Sequence, residues 1–150
     1  MSRAFRFGVL SGGIPSRSEW IMKARQAEDL GYATLLVPDH ITGAMAPLTA
    51  LGVAAGVTTS LRLGSFVLSN DFHHPAVLAK EVATLDVLSE GRFEIGLGAV
   101  FLASDYRQAG IPFDPAGTRI RRLEETVQIM KHLFTEASVD FAGEFYTTTT

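Results

Sequence analysis

Four times in 150 residues a β-branched, apolar run ends in small or polar residues and gives way to a helical pattern, with a period near thirty residues. The runs are Phe5 to Leu10, Thr34 to Val37, Leu61 to Leu68 and Arg92 to Leu97. Just beyond them stand Ser11-Gly12-Gly13, Asp39-His40, Ser69-Asn70-Asp71 and Gly98-Ala99. Strand and helix at this cadence mean parallel strands joined by right-handed crossovers. Such folds gather their chemistry at the carboxyl edge of the sheet, where all four of these short segments would lie.

The crossover helices carry their own punctuation. Pro15 and the pair Ser16 and Glu19 form a capping-box signature, followed by Trp20, Ala24, Ala27 and Leu30 at helical spacing and by Gly31 as the stop. Pro47 opens a second helix to about Thr58, with Leu48, Leu51 and Ala55 on one face. Pro75 opens a third, with Leu78, Val82 and Leu85 inward and Gly91 after its end. Asp114-Pro115 starts a fourth, where Ile120, Leu123, Val127, Met130 and Phe134 predict an apolar stripe opposite Arg121, Arg122, Glu125 and Lys131. These stripes are read as core packing.

Length and composition bound the rest. A chain of 150 residues is read as one domain, residues 1–150, large enough to carry a real core. With 47% hydrophobic and 19% charged residues it is too apolar for a disordered chain and too interrupted for a membrane protein. A net charge of −3, with scattered Lys and Arg, gives no footprint for nucleic acid. Without cysteine there is no disulfide frame, no thiolate nucleophile and no zinc-thiolate site. The start, Met1 to Arg6, lacks the apolar stretch of a secretory signal, so a cytoplasmic location is expected.

Two closures of the sheet compete, a doubly wound open sheet and part of an eight-stranded barrel. A complete barrel needs roughly 250 residues, so four units make half of one. After the fourth helix, Val139 to Tyr146 is β-prone and runs into Thr147 to Thr150 without a terminating signal or strand partner, as if cut. An isolated half barrel exposes strand edges, which predicts self-association or marginal stability.

Among the edge residues, His40 is the first candidate for catalysis, because an imidazole takes or passes a proton near neutral pH. It is adjacent to Asp39, and neighbours on an extended chain point to opposite faces, so one of the two is expected to face the site. The alternative for His40 is a loop histidine bonded to backbone. Asp71, His73 and His74 contain metal-ligand types, but adjacent histidines converge poorly on one ion and no HExxH spacing occurs, so no metal is expected. Gly96-Leu97-Gly98-Ala99 lacks the third glycine of a dinucleotide turn, although glycines there would let a flat ligand approach the backbone. A nucleotide-binding open sheet would instead hold phosphate on Ser11-Gly12-Gly13, which Pro15 and the short turn disfavour.

The run Phe66-Val67-Leu68-Ser69-Asn70-Asp71-Phe72-His73-His74-Pro75, continued by Ala83-Thr84-Leu85-Asp86-Val87-Leu88-Ser89-Glu90-Gly91-Arg92, resembles the bacterial-luciferase-like monooxygenases. It is most similar to their deazaflavin-dependent branch. Ala27-Glu28-Asp29-Leu30-Gly31-Tyr32, Pro38-Asp39-His40, Ser104-Asp105-Tyr106 and Gly110-Ile111-Pro112-Phe113-Asp114 extend the likeness over nearly the whole chain. The resemblance implies an α/β fold of the (β/α)8 TIM barrel family, about four βα units of it, plus the start of an insertion segment. It implies a cofactor at the carboxyl face, the deazaflavin coenzyme F-420 by preference or FMN, and hydride transfer or flavin-dependent oxidation of a small organic substrate. His40 would serve as acid or base, with Asp39 beside the ring. Phe66 and Val67 would form a bulge with a non-proline cis peptide, and Ser69, Asn70, Gly98 and Ala99 would complete the pocket.

Two departures from the family pattern stand out. Val100 and Phe101 replace an expected Gly-Trp, which makes that wall bulkier. An acidic residue of sugar-phosphate-oxidising relatives is missing, which argues against that substrate. The resemblance also places the phosphate-binding loops after later strands. The expected molecule is thus a homo-oligomeric oxidoreductase without nucleic-acid or membrane partners. The rival is a non-catalytic half barrel that self-associates or pairs with another chain.

Overall fold

A computed structural model describes residues 4–149; Met1, Ser2 and Arg3, part of the segment read for a signal, and Thr150 lie outside the described residues. The element order is β1 (Gly8–Leu10), α1 (Arg17–Asp29), β2 (Thr34–Val37), α2 (Pro47–Ala55), β3 (Arg62–Ser65), β4 (Leu68–Ser69), a 3-10 turn (Asn70–Phe72), α3 (Pro75–Leu88), β5 (Phe93–Glu94), β6 (Leu97–Gly98), α4 (Ala103–Ala109), α5 (Ala116–Thr135), β7 (Asp140–Ala142) and β8 (Thr147–Thr149). The chain forms two compact units, one running up to Leu68 and including Leu85–Gly96, the other comprising Ser69–Thr84 and the described residues from Leu97 onward. No described helix is long and apolar enough to cross a membrane.

The first unit is built on a four-stranded sheet in the order β1-β2-β3-β5, every pair parallel. Its register sets Leu10 opposite Leu36, Leu36 opposite Gly64, and Gly64 opposite Glu94. Because side chains alternate across a strand, Leu35, Val37 and Leu63 point together and are fully buried. Trp20, Ala24 and Ala27 of α1, with Ala50, Leu51 and Ala54 of α2, supply further buried apolar surface. The Trp20 indole N–H donates to the Ala50 carbonyl at 2.8 Å, which fixes α1 against α2.

The predicted capping box is present: Ser16 N donates to Glu19 Oε2 at 2.7 Å and Glu19 N to Ser16 Oγ at 3.3 Å. Gly31 closes the helix with a φ of 78°, a conformation that favours glycine. At the amino-terminal end of the strands Glu94 accepts from Arg6 Nη2 at 2.7 Å, Arg62 Nε at 2.6 Å and Thr34 Oγ1 at 3.2 Å.

Glu28 ties α1 to the turn before β3. Its Oε1 accepts from the backbone N–H groups of Thr59 (2.9 Å), Ser60 (2.6 Å) and Leu61 (2.8 Å) and from the Ser60 hydroxyl (3.0 Å). Partial burial pushes this carboxyl upward, but the bonds from Ser60, Leu61 and Thr59 outweigh it and hold it down at about 2. A carboxylate depressed in the folded state contributes stability above its unfolded value and loses it as pH falls toward the folded one. Glu28→Gln is therefore expected to cost about 1–2 kcal/mol at neutral pH. Denaturant titrations should show the gap between variant and wild type closing between pH 4.5 and pH 2; a constant gap would contradict the assignment.

In the second unit Tyr106 of α4 is fully buried, and its hydroxyl donates to Asp71 Oδ2 at 2.9 Å. Burial, reinforced by Asp71 as acceptor and as a negative charge, pushes that hydroxyl up, so it remains a donor. Arg122 of α5 bridges Asp71 at 2.7 Å and Asp114 at 2.5 Å. Strands β7 and β8 pair antiparallel, Asp140 opposite Thr149. Their turn is gripped by Glu125, whose carboxylate accepts from Glu144 N (2.6 Å), Phe145 N (3.0 Å) and Tyr146 N (3.2 Å). A Cβ on Gly143 would overlap that carboxylate, so glycine is what admits it.

Several expectations need correction. The run Arg92–Leu97 is not a continuous strand, since it breaks at Ile95-Gly96, whereas the break of Leu61–Leu68 falls at Phe66-Val67, where the resemblance implies a bulge. Helix α2 stops at Ala55, earlier than Thr58, because Gly56 caps it and the Thr58 hydroxyl takes the Ala54 carbonyl at 2.7 Å. The stripe on α5 is turned: Ile120, Val127 and Phe134 are 50%, 36% and 47% exposed, while Arg119, Thr126, Ile129 and Met130 are buried. The bonds of Arg122 to Asp71 and Asp114, and of Arg119 to the carbonyls of Asp114 and Val100, set that rotation. The segment Val139 to Tyr146 is not without a partner, since it folds back in the β7–β8 hairpin.

Candidate functional site

At the carboxyl edge of the first unit's sheet, pairing continues past the strands. Ser11 N donates to Leu36 O at 2.9 Å, and Phe66 N to Val37 O at 2.9 Å. Pro38, Asp39 and His40 therefore leave β2 beside the segment in which Phe66 and Val67 leave β3. Asp39, His40 and Val67 are half-buried, whereas Phe66 is 60% exposed. The Phe66-Val67 peptide is cis, at the position implied by the resemblance. Sequence reasoning thus placed Asp39, His40, Phe66 and Val67 on neighbouring strand ends of one sheet, and the structure brings them there.

Where the β3–β5 ladder lapses, a side chain takes over. Ser65 is 3% exposed, and its hydroxyl both donates to Gly96 O at 2.8 Å and accepts from Gly96 N at 2.9 Å. Gly96 O also accepts from Leu68 N at 2.7 Å. A Cβ on Gly96 would overlap the Ser65 carbonyl oxygen and press on Val67 Cγ1. At Gly96, then, glycine admits the protein's own backbone, and the expectation of an opening for a flat ligand is corrected there. Gly96→Ala is expected to cost about 2–3 kcal/mol through overpacking. Thermal denaturation of the purified variant checks this, and an unchanged midpoint would refute it.

The remaining candidates belong to the second unit. Ser69 and Asn70 are fully buried, and Gly98 and Ala99 are half-buried. The Asn70 side chain donates to Asp71 Oδ1 at 3.2 Å, while its own Oδ1 is buried without a hydrogen-bond partner among the described residues. His73 and His74 line a cleft of about 560 Å3 with Asp71, Asp114, Arg122 and Tyr146. Asp71 and Asp114 are both paired with Arg122, and among the described residues no group of three or more His, Asp or Glu side chains is placed to hold a metal ion. Around Ser11-Gly12-Gly13 the nearest helix start is already served by Glu19, which holds an anionic group on Ser16 N.

Sequence reasoning missed Ser65, Gly96 as its partner, and the Asp71-Arg122-Asp114 bridge. Of these only the glycine carries a signal in the sequence, and that signal points equally to ligand approach.

The descriptive match to a family model for luciferase-like monooxygenases runs over residues 4–150. Among curated proteins, the chain is 35% identical over 130 residues to a 4-hydroxyprotoasukamycin monooxygenase of Streptomyces nodosus subsp. asukaensis, covering 83% of this chain and 34% of that protein. It is 30% identical over 131 residues to an F420-dependent glucose-6-phosphate dehydrogenase of Amycolatopsis mediterranei, covering 82% and 39%. Among solved structures, the oxygenating constituent of 3,6-diketocamphane monooxygenase from Pseudomonas putida, in complex with FMN, superposes with a TM-score of 0.84 at 20% identity, over 98% of this chain and 44% of that one. The chain spans less than half the length of each of these three proteins. Its fold class is the (β/α)8 TIM barrel, of which it carries about four βα units. On the match over residues 4–150, the chain belongs to the luciferase-like monooxygenases.

Proposed function

We propose that this chain is the N-terminal half of a barrel oxidoreductase that binds a deazaflavin, or alternatively FMN, at its carboxyl face and acts on a small organic substrate. The observation that carries the reading is the adjacency of Pro38-Asp39-His40 and Phe66-Val67 at the ends of neighbouring parallel strands, joined by the Phe66 N to Val37 O bond of 2.9 Å. These residues suit a flat ring. Phe66 offers exposed apolar surface, Val67 continues it, and His40 and Asp39 add half-buried polar groups from the next strand. The F420-dependent relative at 30% identity favours the deazaflavin.

The bound ring would supply a centre that accepts or donates a hydride. His40 would then move the matching proton: when a substrate alcohol loses hydride, the imidazole takes its hydroxyl proton, and in reduction it returns one. Asp39 would orient the ring beside it, and Phe66 and Val67 would shape the wall on which the ring rests. Ser69, Asn70, Gly98 and Ala99 are proposed as further cofactor-binding residues, and within their own unit the buried Asn70 Oδ1 is an acceptor without a hydrogen-bond partner among the described residues, which is costly to leave unmet.

Titration of oxidised F420 or FMN with the protein, expressed from its complete reading frame, tests the reading. Saturable fluorescence quenching is expected with at least one of them. Failure to bind either would overturn it.

A second reading, that the chain acts through self-association or pairing, is favoured by the flank of edge strand β1. There Phe5, Phe7, Leu10 and Ile14 are 90%, 70%, 52% and 73% exposed. Light scattering on the eluting protein decides between outcomes: dimers or larger assemblies support homo-oligomerisation, and a monomer that binds no hydrophobic dye removes it.

A further inference from the structure

We propose that Ser65 is a positioning residue, whose hydroxyl clamps Gly96 across the gap in the sheet and so fixes the Phe66-Val67 segment as a rigid wall for the ring. The inference rests on the functional reading above and adds to it the group that holds the wall still.

Backbone pairing between β3 and β5 ends at Gly64 opposite Glu94. Beyond it, the strand departs to project Phe66 and Val67, so Gly96 has no ladder partner for its N–H. The Ser65 hydroxyl fills that place, accepting from Gly96 N at 2.9 Å while donating to Gly96 O at 2.8 Å. A hydroxyl can do both at once, and alanine can do neither. Three further contacts close the frame. Leu68 N reaches the same Gly96 carbonyl at 2.7 Å, Phe66 N reaches Val37 O at 2.9 Å, and the missing Cβ of Gly96 leaves room for the Ser65 carbonyl and the Val67 methyl. Phe66 and Val67 are thus held on both sides, by β2 at one end and by Gly96 at the other. Ser65 itself is buried and packs away from solvent, so its part is to place the wall rather than to touch the reactants. A ring lying on a preset surface loses less affinity to ordering than one that must organise its own contact.

Ser65→Ala, made in the protein expressed from its complete reading frame, tests the clamp. Oxidised F420 or FMN, whichever the wild type binds, is the probe. The dissociation constant is expected to rise about tenfold, near the worth of one buried hydrogen bond. The absorption band of the ring at saturation should move back toward that of free cofactor, a change that a general loss of stability would not produce. Ser65→Thr, which keeps the hydroxyl, should restore the wild-type band. If alanine prevents folding, Ser65→Cys keeps the volume with a weaker donor and acceptor and should give the same changes in smaller measure. Equal affinity and an unchanged band in the variant that folds would overturn the inference while leaving the functional reading in place. Absence of binding by the wild type would overturn the reading, and the inference with it.

Discussion

Arg122→Met is expected to destabilise the second unit by about 3–5 kcal/mol, because removing one partner of a buried ion pair leaves an uncompensated charge behind. The Asp71 side chain is 1% exposed and Arg122 is 18% exposed, so water can replace little of what the guanidinium provides. Asp71 would keep the Tyr106 hydroxyl at 2.9 Å and the Asn70 amide at 3.2 Å, neither of which carries charge. Arg122→Lys should recover part of the loss, since a single ammonium is poorly shaped to span Asp71 and Asp114 together. Adding Asp71→Asn to Arg122→Met should also recover part of it, by removing the stranded carboxylate. Urea titrations of the four proteins measure this. A loss below about 1 kcal/mol for Arg122→Met would mean that the bridge behaves as an exposed one.

His40→Asn is expected to lower turnover by about 10²–10⁴-fold, the usual contribution of a positioned acid or base. The ring should still bind, with affinity close to that of the wild type, because Phe66 and Val67 supply apolar surface on the neighbouring strand. Single-turnover measurements with cofactor at saturation separate the two effects. Loss confined to binding would make His40 a wall residue, and unchanged turnover would exclude it from proton transfer.

Much of this arrangement is legible from local signals. The capping box Ser16 and Glu19, Gly31 at the end of α1, and the prolines that open α2 and α3 each act within a few residues, so sequence alone locates them. The strand Thr34–Val37 is likewise written in its own β-branched, apolar run. What escaped depends on partners far along the chain. The break at Phe66-Val67 is expected from the resemblance, but what fastens it, Ser65 meeting Gly96 31 residues later, leaves no local signal. The rotation of α5 follows from Arg122 finding Asp71, 51 residues before it, which periodicity of apolar residues cannot weigh. Helix α4 is short and mixed in composition, with its stop at Gly110, and gives too little pattern to stand out. The candidate site divides the same way. Asp39 and His40 were visible as chemistry at a strand end, whereas Ser65 is an ordinary residue made important by what it touches.

The Glu94 cluster has a consequence for how such a protein can change. One carboxylate gathers Arg6, Thr34 and Arg62, so the chain entering β1 and strands β2, β3 and β5 are riveted together at their amino-terminal ends. The opposite ends carry His40 and the Phe66-Val67 turn. Substitutions at those tips need not unfasten the strands beneath, and descent can remodel one brim while inheriting the rivet intact.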